Sequence, residues 1–175
     1  MDARVPAVEI PAPAGVARPA LERAVGRIGL AVKAGADGRT RIDQAFQEGS
    51  LKIRFPHTDS GRFEAVLINT AGGLTDGDAY AITAAAPART ALTLTTQAAE
   101  KVYRAVGVAA RLDAEFTLGD GAALAWLPQE TILYDGGRLA RTLTIDMTAS
   151  ARLIACEMLV LGRTAHGETV RAGRL

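Results

Sequence analysis

A chain of 175 residues carrying 20 Lys and Arg against 19 Asp and Glu has a net charge of +1. That length suits one domain with a real core, and the scattered, balanced charge excludes a polybasic surface for nucleic acid or membrane. Of the 49% hydrophobic residues, 35 are alanines, and aromatics reach only 5%, so the core must rest on Val, Ile and Leu. No stretch approaches the roughly 18 to 20 apolar residues of a membrane span. The start, Met1-Asp2-Ala3-Arg4-Val5-Pro6, lacks the charged-then-apolar order of a secretory signal. The single cysteine, Cys156, cannot form an internal disulfide, and with two histidines it cannot complete a structural zinc site. In the apolar run Leu153-Ile154-Ala155-Cys156 it reads as a small buried hydrophobe. The chain reads as soluble and cytoplasmic.

Residues 1–20, with four prolines from Pro6 to Pro19, read as a flexible Pro/Ala-rich tail. From Gly26 onward the dominant period is two. Ile28, Leu30 and Val32 alternate with Gly29, Ala31 and Lys33. The same alternation recurs over Leu51–Phe55, Leu92–Thr95, Leu112–Leu118 and Leu143–Met147. Each run predicts a half-buried strand. Turn signals separate them, among them Gly35-Ala36-Asp37-Gly38, Gly119-Asp120-Gly121 and Gly136-Gly137. Strands at this spacing without amphipathic helices predict one all-β layered domain over 21–175. A short helix is expected around Gln97–Val102, and no internal sequence repeat is visible.

Four segments carry more chemistry than a generic strand needs. Asn69-Thr70-Ala71-Gly72-Gly73-Leu74-Thr75-Asp76-Gly77-Asp78 predicts a tight turn with projecting carboxylates. It is no P-loop, lacking Gly-Lys-Ser/Thr, and no EF-hand, because its Asp spacing is wrong. Thr95-Thr96-Gln97-Ala98-Ala99-Glu100-Lys101-Val102-Tyr103-Arg104 is either a solvated strand end, with Glu100 and Lys101 exposed, or the lining of an internal polar surface. Trp126-Leu127-Pro128-Gln129-Glu130-Thr131-Ile132 sets a carboxylate among apolar residues, where burial without a cation or arginine is costly. Pro128 suits a bulge or edge. In Gly162-Arg163-Thr164-Ala165-His166-Gly167-Glu168, His166 and Glu168 are weak ligand candidates for a divalent ion. His57, beside Pro56, reads as exposed. No Gly-x-Ser-x-Gly elbow is present, and Cys156 has no basic setting to activate it.

Taken in order, these four segments resemble the urease accessory protein D family, called H in some organisms. Trp126–Ile132 is the most specific match, and Asp76 and His166 depart from the family pattern, which favours glycine and methionine there. The resemblance implies a β-helix-like stack of sheets with little helix and no catalysis by the protein itself. It implies partners: a second accessory protein, F, a nickel-carrying GTPase, G, and apo-urease. The implied role is a scaffold for nickel insertion, with no tightly bound cofactor and only transient Ni²⁺. Family members continue past the last motif, so the chain is expected to be an amino-terminal portion, and an apolar face around Ile154–Leu161 is expected to lack cover. Asp78, Glu130 and Glu168, with Thr95, Thr96 and Gln97 alongside, are expected to face an internal nickel passage. Two other classes remain open: a small β-rich hydrolase or carbohydrate-active enzyme using Asp78 and Glu130, and a plain β interaction module without a metal role.

Overall fold

A computed structural model describes residues 22–58 and 62–175; the expected tail of residues 1–20 lies outside them. Thirteen strands follow one another in the described residues. They are β1 (Val25–Ala34), β2 (Thr40–Gly49), β3 (Leu51–Arg54), β4 (Phe63–Asn69), β5 (Ala79–Ala86), β6 (Ala91–Thr96) and β7 (Glu100–Val102). Then come β8 (Ala110–Leu118), β9 (Ala123–Leu127), β10 (Thr131–Leu133), β11 (Leu139–Met147), β12 (Arg152–Ala155) and β13 (Leu159–Leu161). A single 3₁₀ turn spans Thr164–His166. No helix of the described residues is long and apolar enough to cross a membrane.

The strands sort into three sheets, ordered β11-β8-β5-β1-β2, β12-β9-β6-β4-β3 and β13-β10-β7. The chain visits the sheets in rotation: β5-β6-β7, then β8-β9-β10, then β11-β12-β13. The result is a parallel β-solenoid of about three turns. Only β1–β2 and β3–β4 pair antiparallel, at the amino-terminal end. There, Gln47 accepts a hydrogen bond from the Ile53 N–H at 2.9 Å, blunting an open strand edge.

Alternation along most strands sends one face into the solenoid, and parallel register stacks those faces into columns; β2 and β13 bury no residue. Ile28 lies beside Ile82, Ile82 beside Ala114, and Ala114 beside Leu143. The next column runs Leu30, Ala84, Phe116, Ile145. Each column mixes large residues with one alanine, so the interior fills without the same sequence recurring at each turn. That is why a structural repeat exists without a sequence repeat. Phe116 and Trp126, from different sheets, meet with ring centroids 5.1 Å apart, and both are buried. They supply much of the aromatic packing area.

Three local expectations are corrected. Gln97–Val102 is not helical: a bend leads into β7, whose three residues pair in parallel with β10. The rung of a sheet outweighs the weak helical preference of a six-residue segment. Asp76 and Asp78 do not project; both are buried, with backbone N–H groups as partners. Cys156 is exposed rather than buried, because it follows β12 on the outermost turn. On that turn Ile154, Met158, Leu159, Val160 and Leu161 are also exposed. His57 and His166 are exposed, as the sequence predicts.

Candidate functional site

The interior is not wholly apolar. Where β4 ends and β7 begins, a chain of polar side chains crosses from one turn to the next. Ser50 Oγ donates to Tyr80 Oη at 3.1 Å, and Tyr80 Oη donates to Asn69 Oδ1 at 3.1 Å. Asn69 Nδ2 then donates to both oxygens of Glu100, at 3.1 and 3.2 Å. Asn69 and Glu100 are 31 residues apart, close to one turn of the solenoid. Gly73 permits this closeness: at φ 148° it leads into Leu74, which bridges to Val102 of β7, and a Cβ at Gly73 would meet the Lys101 carbonyl oxygen at 2.7 Å.

Beyond Glu100 lies a cavity of about 230 Å³. Its polar lining comes from Asn69, Thr96, Gln97, Glu100, Lys101, Gln129, Thr131 and Arg141, with Leu51, Leu67 and Trp126 among its apolar walls. Arg141 Nη1 donates to Thr131 Oγ1 at 3.1 Å, and its Nη2 donates to Glu157 Oε1 at 2.6 Å. Trp126 Nε1 donates to the same Glu157 oxygen at 2.8 Å. Thr131 is the ladder partner of Glu100, so the Arg141 guanidinium stands near Glu100 and its charge acts on that carboxyl.

Glu100 has no cation within ion-pair distance among the described residues. Burial therefore raises its pKa from the usual 4.5 to about 7, although the Asn69 amide and the nearby Arg141 pull the other way. At neutral pH it is close to half protonated, a setting that lets a carboxyl exchange a proton for a cation. Among the described residues no group of three or more His, Cys, Asp and Glu side chains could hold a metal. A cation in this cavity would meet one carboxylate and neutral oxygens, with Lys101 and Arg141 also in the lining.

The residues singled out from sequence are placed as follows. Thr96 and Gln97 line the cavity; Thr96 Oγ1 also accepts the Gln129 N–H at 2.9 Å. Thr95 Oγ1 donates to the Leu127 carbonyl at 2.7 Å, tying β6 to β9. Asp78 is buried outside the cavity lining, and its two oxygens accept the Ala24 and Thr75 N–H groups at 2.9 and 2.8 Å. Glu130, half-buried beside Gln129, contributes its backbone carbonyl, which accepts the Glu100 N–H at 2.9 Å. Pro128 sits at the corner between β9 and β10, where no ladder donor is needed.

Glu168 lies on the outer corner, where Arg163 Nε donates to it at 2.9 Å, holding its pKa below the usual glutamate value. His166 is exposed in the 3₁₀ turn. Asp78, Glu130 and Glu168 are therefore set apart, whereas Thr96 and Gln97 are brought together with Glu100. Asp76 Oδ2 accepts the Val106 and Gly107 N–H groups, both at 3.0 Å, and pins that loop.

Sequence reasoning left the inward role of Glu100 undecided and missed Asn69, Arg141 and Glu157 as its setting. Only a turn length near 31 residues, applied from Asn69 to Glu100, could have paired them.

The profile of a family described as UreD urease accessory protein matches residues 24–175. The chain is 48% identical over 152 residues to the urease accessory protein UreD of Rhodopseudomonas palustris strain HaA2, covering 87% of this chain and 54% of that protein. It is 46% identical over 157 residues to UreD of Methylobacterium sp. strain 4-46, with 90% and 56% covered. It is 49% identical over 152 residues to UreD of Rhizobium etli, with 87% and 55% covered. The chain spans about half the length of these curated relatives. A match over nearly the whole described chain, at this identity, shows the family. The chain belongs to the UreD urease accessory protein family.

Proposed function

We propose that this chain is part of a nonenzymatic, cytoplasmic urease-maturation scaffold that bridges the F and G accessory proteins to apo-urease, with its internal polar column serving as a stretch of nickel passage. The family supports the maturation role, and the cavity lined by Glu100 and Arg141 supports the passage. Nickel is cargo here. A conduit must release what it binds, and a lone carboxylate among hydroxyl and amide oxygens binds Ni²⁺ weakly compared with clustered imidazoles or thiolates. Glu100, with a pKa near 7, would take the ion by giving up its proton. Thr96, Gln97 and Gln129 offer oxygens beside it. Arg141, close enough for its charge to act on Glu100, opposes tight capture of a cation and favours its release.

Asp78, Glu130 and Glu168 remain part of this proposal as supports or further stations of the route. The test uses the full-length protein in two variants, Glu100→Gln and the triple change Asp78→Asn, Glu130→Gln, Glu168→Gln. Co-purification with the F-type protein and urease should survive in both, while urease nickel content and activity fall. Asp76→Gly and His166→Met should have less effect. If both variants mature urease at the normal rate, the passage fails and the scaffold remains; if the wild-type full-length protein does not co-purify, the scaffold fails. The hydrolase reading has no observation in its favour, because both Asp78 oxygens are engaged by backbone donors.

A further inference from the structure

One corner of the solenoid, where the chain passes from the β7–β10–β13 sheet to the β5–β8–β11 sheet, concentrates arginine. A cleft of about 830 Å³ there is lined by Arg104, Arg138 and Arg174 together with Val106, Val108 and Asp135. A neighbouring depression of about 580 Å³ adds Arg163 and Arg171. The carboxylates among them are already saturated. Asp135 Oδ1 accepts the Arg171 and Ala172 N–H groups at 2.8 and 3.1 Å, and its Oδ2 accepts Arg104 Nη2 at 2.9 Å. Both Glu168 oxygens are held by Arg163. Arg138, Arg171 and Arg174 have no carboxylate partner among the described residues. Arg138 only donates to the Gly107 carbonyl, at 3.1 Å.

The rim of the cleft is apolar and fixed. Val106 and Val108 are 86% and 76% exposed, yet their loop is pinned by Asp76 to the Val106 and Gly107 N–H groups. The Val108 carbonyl also accepts the Gly77 N–H at 2.9 Å. Exposed valines on a held loop cost little ordering entropy when a partner covers them.

We propose that this corner docks an acidic segment of a protein partner, its carboxylates pairing with Arg138, Arg171 and Arg174 and its apolar side chains resting on Val106 and Val108. Guanidinium groups match carboxylates bidentately, which suits them to this task. A protein segment fits better than nucleic acid, because the charge is local in a chain of net charge +1 and the rim is aliphatic. The docking surface does not rest on the nickel passage.

The test measures fluorescence anisotropy of a short fluorescein-labelled peptide rich in glutamate and valine, titrated with the full-length protein. Binding should be saturable and weaken with salt. The pair Arg171→Glu and Arg174→Glu, neither side chain having a described partner, should lower affinity about tenfold or more. The pair Arg27→Glu and Arg152→Glu, on other faces, should change it less than about twofold, and both variants should keep the wild-type circular dichroism spectrum. Val106→Ser with Val108→Ser should weaken binding about threefold or more. Three results would overturn the proposal: equal loss in both arginine pairs, no saturable binding to the full-length protein, or stronger competition by single-stranded DNA than by unlabelled peptide.

Discussion

Glu100 inside the solenoid and Glu168 at its outer corner are the same residue in opposite settings. Glu100 is packed beside a cavity with an amide as its nearest donor, and burial raises its pKa to about 7. Glu168 is clasped by the guanidinium and backbone N–H of Arg163, and its pKa is lowered. Asp135 beside it is lowered as well, by the Arg171 and Ala172 N–H groups and by Arg104. The column keeps one carboxyl poised to exchange its proton, while the corner fixes its carboxylates and leaves arginines over. The same solenoid thus holds one carboxyl raised by burial and others lowered by the donors that reach them.

The largest expected effect comes from the interior wall. Trp126→Ala removes a buried ring packed on Phe116 and the donor that orients Glu157, and should cost about 4 kcal/mol in urea unfolding. A far smaller loss would mean the column does not depend on the core around it.

The second effect is a pH dependence of unusual sign. A carboxyl whose folded pKa lies above its unfolded value binds more protons folded than unfolded between about 4.5 and about 7. Its stabilising contribution is complete below the unfolded value and is lost as pH rises through about 7. Glu100→Gln should therefore be more stable than wild type at pH 8, and the advantage should shrink toward pH 4. Parallel melting curves across that range would remove the contrast between interior and corner.

The smallest effect belongs to the corner and runs the other way. Glu168 and Asp135 have lowered pKa values, so their contribution is present above the unfolded values and lost as pH falls through the folded ones. Protection factors for amide exchange at Arg163, Arg171 and Ala172, whose N–H groups these carboxylates accept, should fall on acidification. Glu168→Gln should abolish the change at Arg163 and leave Arg171 and Ala172 as they are.

Much of the architecture was readable residue by residue. Alternation at Ile28-Leu30-Val32, Leu112–Leu118 and Leu143–Met147 marks strands that the structure contains, with the named apolar residues inward except Met147, which is exposed at the end of β11. Gln97–Val102 misled because a three-residue rung is too short to show a period, and its identity depends on the partner strand β10. Asp76 and Asp78 misled because a glycine-rich turn says nothing about which distant N–H groups will close on it. Those donors, at Ala24 and Val106, arrive from other turns.

The amino-acid sequence by itself determined that the chain is β-rich, nearly neutral and patterned to bury one face of each strand, because alternation is a local property. It also carried the four ordered motifs of the UreD family. Which carboxylates work together was decided only by the tertiary structure. Turn length brings Asn69 onto Glu100 and leaves Asp78, Glu130 and Glu168 apart, and burial then raises the Glu100 pKa. Such contacts join residues about one turn distant, and no local pattern encodes a distance that only stacking supplies.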